Sequence, residues 1–135
     1  DSGFAAMERA IPLAAQEVRM ALATSRLKVV YGTDAVAGAH GRNAEDLVCR
    51  VESADEAPMH ALVAATSLNA EALGMGERIG ALAAGFEADI IATDGDPSRD
   101  ITVIRRVSFV MKGGRIVRND GAPGAVGRTT SGGAR

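Results

Sequence analysis

The chain has no tryptophan, one tyrosine (Tyr31) and three phenylalanines, so aromatic residues make up only 3% of its 135 positions. Proteins that grip single-stranded nucleic acid stack bases on aromatic platforms and carry excess positive charge. Here the formal net charge is −2, and a nucleic-acid partner is not expected. No apolar run approaches the ~20 residues of a membrane-spanning helix, and no signal-peptide pattern opens the chain. A membrane partner is therefore not expected either. One cysteine, Cys49, excludes an internal disulfide and any Cys-rich zinc motif. Histidine is nearly as scarce, with His40 and His60 alone. The first residue is Asp1 rather than Met, which suggests a chain processed or cut from a longer one and leaves the compartment open.

What is present is aliphatic. Apolar residues make up 47% of the chain, enough for one core at a length where roughly two-thirds of the unfolded surface is buried. Built from Ala, Val, Leu, Ile and Met, that core should have small side chains and close backbone packing. Phe4, Met7, Ile11, Val18 and Leu22 follow a helical spacing. Pro12 lacks an N–H and interrupts it, which predicts a short helix over 4–10 and a second from Pro12 to near Thr24. Leu27–Tyr31, rich in β-branched residues and stopped by Gly32, reads as a buried strand. Residues 32–42 form a glycine-rich loop, and Asn43 is placed to cap a helix over 43–52. A third helix is expected over 58–73, with Pro58 at its first position and Met59, Leu62, Val63, Thr66, Ala70 and Leu73 as its apolar stripe. Beyond Gly74 the chain turns β-rich. Ala88–Thr93 is strand-like, Asp94-Gly95-Asp96-Pro97 reads as a turn, and Val107–Met111 and Arg115–Arg118 flank a Gly113-Gly114 hairpin signal. The stretch 119–135 has five glycines and no large apolar residue, and disorder is expected there.

Three segments together resemble the C-terminal part of the amidohydrolase superfamily, in its imidazolonepropionase-related and prolidase-like branch. The first is Val29-Val30-Tyr31-Gly32-Thr33-Asp34-Ala35, similar to a GTDA signature at the end of the eighth barrel strand. The second is His40-Gly41-Arg42-Asn43-Ala44-Glu45, similar to HGxNAxE. The third runs from Ala64-Ala65-Thr66-Ser67-Leu68-Asn69-Ala70 through Leu73-Gly74, Arg78-Ile79-Gly80 and Ala88-Asp89 to Asp94-Gly95-Asp96-Pro97. The resemblance implies an α/β fold: the C-terminal strand and helices of a TIM (β/α)8 barrel over residues 1–75, an incomplete barrel, plus closing strands of a small β domain over 76–118. Three positions depart from the family pattern. Thr24-Ser25-Arg26 stands where a glycine usually ends the helix, Ala57 where Ser or Thr caps the next, and Ala84 where proline precedes Gly85.

By the same resemblance, the parent is a metal-dependent hydrolase of carbon–nitrogen bonds, amide or cyclic amide, with Xaa-Pro dipeptides among its candidate substrates. Its cofactor is expected to be a divalent metal, zinc first, as one or two ions. The other family ligands (an HxH pair, a carboxylated lysine or glutamate, further histidines) have no counterpart in this chain. Asp34 is implied as catalytic residue and metal ligand, passing a proton from the attacking water to the leaving nitrogen. Residue pattern alone leaves it between that role and a turn cap. His40 and Arg42 are the substrate-binding candidates, Arg42 because guanidinium binds carboxylates bidentately. Asn43 reads as a cap, His60 as surface and Cys49 as helix packing. The Asp89, Asp94, Asp96 and Asp100 carboxylates do not match an EF-hand spacing. Expected partners are a small-molecule or dipeptide substrate, the rest of the barrel upstream, and a second copy in a homo-oligomer. A free-standing binding or assembly protein and one half of a split enzyme are the alternatives.

Overall fold

The computed structural model describes residues 2–35 and 37–121. In chain order they form α1 (Ser2–Ala23), α2 (Ala44–Ala54), α3 (Pro58–Ala65), α4 (Ser67–Ala72), β1 (Ile90–Thr93), a 3₁₀ helix (Ile101–Arg105), β2 (Val107–Lys112) and β3 (Arg115–Asn119). The core lies between α2, α3 and the 3₁₀ helix, where Leu47, Val48, Ala61 and Ile101 bury one another. Ala54, Ala64 and Ala70 are also buried, so the helices approach through alanines, as the composition implied.

Several elements differ from expectation, each for a physical reason. The first helix is continuous through Pro12. Its periodicity keeps phase on both sides, and Pro12 is exposed, where water can satisfy the carbonyl that loses its N–H partner. The side chains of Phe4, Met7 and Ile11 lie outside the described residues. Leu27–Tyr31 is not a strand, because a strand exists only through ladder bonds to a neighbour and none of the three described strands pairs with it. Nor is it buried throughout: Leu27 is 55% and Val30 41% exposed. The helix expected over 58–73 breaks at Thr66 (φ −124°, ψ −95°) into α3 and α4. There the Thr66 hydroxyl donates to the Leu62 carbonyl at 2.7 Å, competing with the backbone ladder. Gly80 packs on the break so closely that a Cβ would lie 2.8 Å from the Thr66 carbonyl oxygen. The apolar stripe expected on that helix holds only in part: Ala70 is buried and Leu62 packs against the core, but Met59, Val63 and Leu73 are exposed, and Ala61 and Ala64 are buried in their stead.

The β-rich end matches its reading closely. β1, β2 and β3 form an antiparallel sheet in sequence order. Gly113 (φ 54°) and Gly114 (φ 76°) turn the hairpin, the left-handed pair that a two-residue connection requires. Of the tail, Asn119 ends β3 and Asp120 and Gly121 form a turn; the rest of 119–135 lies outside the described residues. The 3₁₀ helix had no counterpart in the sequence reading. Asp100 caps it by accepting from the Thr102 amide and hydroxyl, at 2.9 and 2.6 Å, and it carries Ile101 and Val103 into the core.

Candidate functional site

Asp34 sits in the irregular loop that follows residues 27–31, with φ at 42°. Left-handed backbone is rare outside glycine, though aspartate tolerates it better than most residues, and such conformations collect at functional sites. Its side chain is exposed, and no hydrogen bond or ion pair among the described residues engages the carboxylate.

The backbone leading to Asp34 is held by side chains rather than by strands. Arg50 of α2 donates through Nη1 to the Val30 carbonyl at 3.0 Å. Asn69 of α4 accepts from the Tyr31 amide at 3.2 Å and donates to the Tyr31 carbonyl at 2.8 Å. Asn43 reaches back into the loop, donating to the Thr33 hydroxyl at 3.1 Å and accepting from the Gly41 amide at 3.1 Å. This corrects its expected role, because Asn43 makes no side-chain bond to the start of α2; its carboxamide ties the loop's two ends together. The Tyr31 hydroxyl donates to the Asn43 carbonyl. Burial first, and then the negative charge of Asp46, hold the Tyr31 hydroxyl above its ordinary range, so it stays a donor at any physiological pH.

Arg50 is itself fixed. Its guanidinium makes two bonds to Glu56, at 2.7 and 2.9 Å, and both residues are buried. A buried pair of this kind is costly to break, since removing one partner strands the other's charge. Sequence reading missed Arg50, Glu56 and Asn69. Nothing in a linear pattern distinguishes a buried ion pair on a helix from a solvated one. Asn69 stood inside a quoted motif, but without a partner to assign it.

Arg42 lines an open cleft of about 290 Å³ together with Thr33, Ala35, Asn43, Glu45 and Cys49. The residues flanking Asp34 and the guanidinium candidate thus share one depression. His40 is exposed and does not line it. Cys49 is exposed on this wall, not packed between helices as its position suggested. His60 is exposed as expected. Glu45 is engaged by Arg105 through a forked contact at 3.0, 3.1 and 2.5 Å, which holds its carboxyl below the usual range and ties α2 to the 3₁₀ helix. Asp89, Asp96 and Asp100 each serve a local turn. Asp89 pairs with Lys112 and accepts from the Gly113 amide at 2.7 Å. Asp96 takes the hydroxyl and amide of Ser98, and Asp100 those of Thr102. These bonds hold all three carboxyls below their ordinary range.

The described residues do not by themselves make a metal site. A catalytic zinc takes about three protein ligands, whereas no three His, Cys, Asp or Glu side chains converge among the described residues. Asp34 offers one carboxylate.

A family model, that of the amidohydrolase family, matches residues 5–117. Among curated proteins, the ochratoxinase of Aspergillus niger is 34% identical over 97 residues, covering 69% of this chain and 20% of its own length. Among solved structures, an Xaa-Pro dipeptidase with methionine bound in its active site superposes with a TM-score of 0.73 at 32% identity. That match covers 78% of this chain and 25% of the dipeptidase. The A. niger ochratoxinase structure gives a TM-score of 0.68 at 29% identity, over 81% of this chain and 25% of its own. The chain thus spans about a fifth to a quarter of the length of these proteins.

Proposed function

Because the chain belongs to the amidohydrolase family, we propose that it is the C-terminal portion of a metal-dependent enzyme that hydrolyses a C–N bond, with Asp34 as its proton carrier. The observation that carries this reading is the carboxylate of Asp34, which no side chain among the described residues engages, on left-handed backbone directly after a segment that other side chains hold in place. The Leu27–Tyr31 segment, which no described strand pairs with, is in this reading the last strand of a TIM barrel whose neighbouring strands belong to the rest of the enzyme. Catalytic groups of such barrels gather at the C-terminal ends of the strands, which is where Asp34 stands.

The chemistry follows from a carboxylate in that place. As water adds to the amide carbon, forming a C–O bond, its proton passes to Asp34 Oδ. When the tetrahedral adduct collapses and the C–N bond breaks, Asp34 returns the proton to the departing nitrogen, leaving a carboxylic acid and an amine. Arg42 binds a substrate carboxylate, and His40 donates to a substrate oxygen from the same loop. A small substrate with a free carboxylate suits this arrangement, and the dipeptidase neighbour makes Xaa-Pro dipeptides the first class to try. A divalent metal, zinc before others, belongs to the whole enzyme, and this chain offers it Asp34 alone.

The test is an assay of the full-length polypeptide carrying this chain, following amine release from N-acyl amino acids and Xaa-Pro dipeptides. Hydrolysis abolished by a chelator and restored by Zn²⁺ is expected. Turnover unaffected by complete metal removal would overturn the metal dependence, and no turnover on any C–N substrate would overturn the reading as a whole.

A further inference from the structure

The carboxamide of Asn69 bonds both the N–H and the C=O of a single residue, Tyr31, at 3.2 and 2.8 Å. One planar group reaches both only where they point the same way, which is the geometry of extended backbone. Asn69 thus occupies the two groups that a neighbouring strand would use at Tyr31, and imitates that strand for one residue. At the residue before, Arg50 takes the Val30 carbonyl. In extended backbone, consecutive residues present their polar groups to opposite edges, so the two side chains grip opposite edges immediately before the turn to Asp34.

We infer that Asn69 is a positioning residue for Asp34: it ends strand pairing at Tyr31 and so sets where the chain leaves the sheet and where the carboxylate is aimed. The inference rests on the barrel reading for the strand that Asn69 ends, and on the proton-carrier reading of Asp34 for its catalytic consequence. Asn69 is delivered to this place by the helix break at Thr66, against which Gly80 packs. Tyr31 and Asp34 are separated only by Gly32 and Thr33, so loosening Tyr31 passes directly into the φ of Asp34. Misplacing a reacting group by about 1 Å is typically worth about a hundredfold in rate.

The experiment compares Asn69→Ala and Asn69→Asp in the full-length polypeptide. Asn69→Asp keeps the acceptor for the Tyr31 amide but sets a carboxylate against the Tyr31 carbonyl. Two readouts are taken: hydrogen exchange of peptides spanning 28–35 and 44–54, and steady-state hydrolysis of N-acyl amino acids and Xaa-Pro dipeptides. In both variants exchange over 28–35 should accelerate while 44–54 stays protected, and kcat should fall roughly ten- to a hundredfold with KM changed less than about threefold. Unchanged exchange over 28–35 together with near-normal kcat overturns the inference. Should Asn69→Ala expose 44–54 as well, Asn69→Asp decides by the same criteria. A parent in which Asp34→Asn turns over normally, yet Asn69 variants still loosen 28–35, would sink the proton-carrier role and leave the strand-ending role standing.

Discussion

Left-handed backbone outside glycine occurs among the described residues at Arg26, Asp34 and Asp55. The three differ in what supports them. Asp55 ends α2, its amide bonding the Arg50 carbonyl, a helix stop that usually falls to glycine or asparagine. Asp34 is a residue type that visits this region, at the place where the chemistry is proposed. Arg26 has neither excuse: it is exposed, with φ at 73°, where the family resemblance leads one to expect a glycine. Arg26→Gly should therefore raise stability by about 0.5–1 kcal/mol, the relief of left-handed strain less the extra freedom of an unfolded glycine. A denaturation midpoint that falls would mean the Arg26 side chain makes a contact worth more than its backbone costs.

At the scale of elements, α3 begins at Pro58 behind Ala57, whose backbone is extended as a cap requires but whose side chain bonds nothing. Ala57→Ser should add about 1 kcal/mol, visible as a raised thermal midpoint; no gain would place the true helix start elsewhere. The hairpin β2–β3 depends on Asp89, whose carboxyl is held below its usual range chiefly by Lys112 and then by the Gly113 amide. Because the unfolded chain binds a proton there more readily than the folded one, this contribution is complete above about pH 4 and fades as pH falls through the lower, folded-state value. The protection of the Gly113 amide, its exchange rate relative to the intrinsic rate at each pH, should fall as pH is lowered from 6 to 3, and Asp89→Asn should remove that pH dependence. An equal pH response in Asp89→Asn would assign the hairpin's acid sensitivity to another group.

These elements were unequally legible. The hairpin and β1 could be read from the sequence because Gly-Gly between β-branched runs is a local signal. Leu27–Tyr31 misled because strand character is local whereas strand existence needs a partner. The 58–73 helix misled because its break comes from Thr66 and from Gly80, a residue distant in sequence. Asp34, Arg42 and His40 were singled out as candidates by the motifs they stand in. Arg50, Glu56 and Asn69, which hold the site's backbone, were not, since their meaning lies in contacts to residues 30 and 31.

At the scale of the whole molecule, the surface carries more large apolar side chains than a chain this small would be expected to leave in water. Leu27, Val30, Met59, Val63, Leu73, Ile91, Ile116 and Val117 are all between 41% and 70% exposed, and no strand among the described residues pairs with the Leu27–Tyr31 segment. Such faces are covered in stable proteins. Produced alone, the 135 residues should self-associate, with an average mass by sedimentation that rises with concentration; a monomer with a sharp two-state thermal transition would favour a free-standing protein instead. The central claim is nevertheless chemical, that Asp34 carries the proton for C–N hydrolysis in the whole enzyme. It is tested most directly by kcat for Asp34→Asn in the full-length polypeptide, with folding checked by the protection of α2 in hydrogen exchange. The account predicts a loss of about 10²–10⁴-fold, the usual worth of a general acid–base group, with α2 protection unchanged. Turnover close to that of the parent would contradict it.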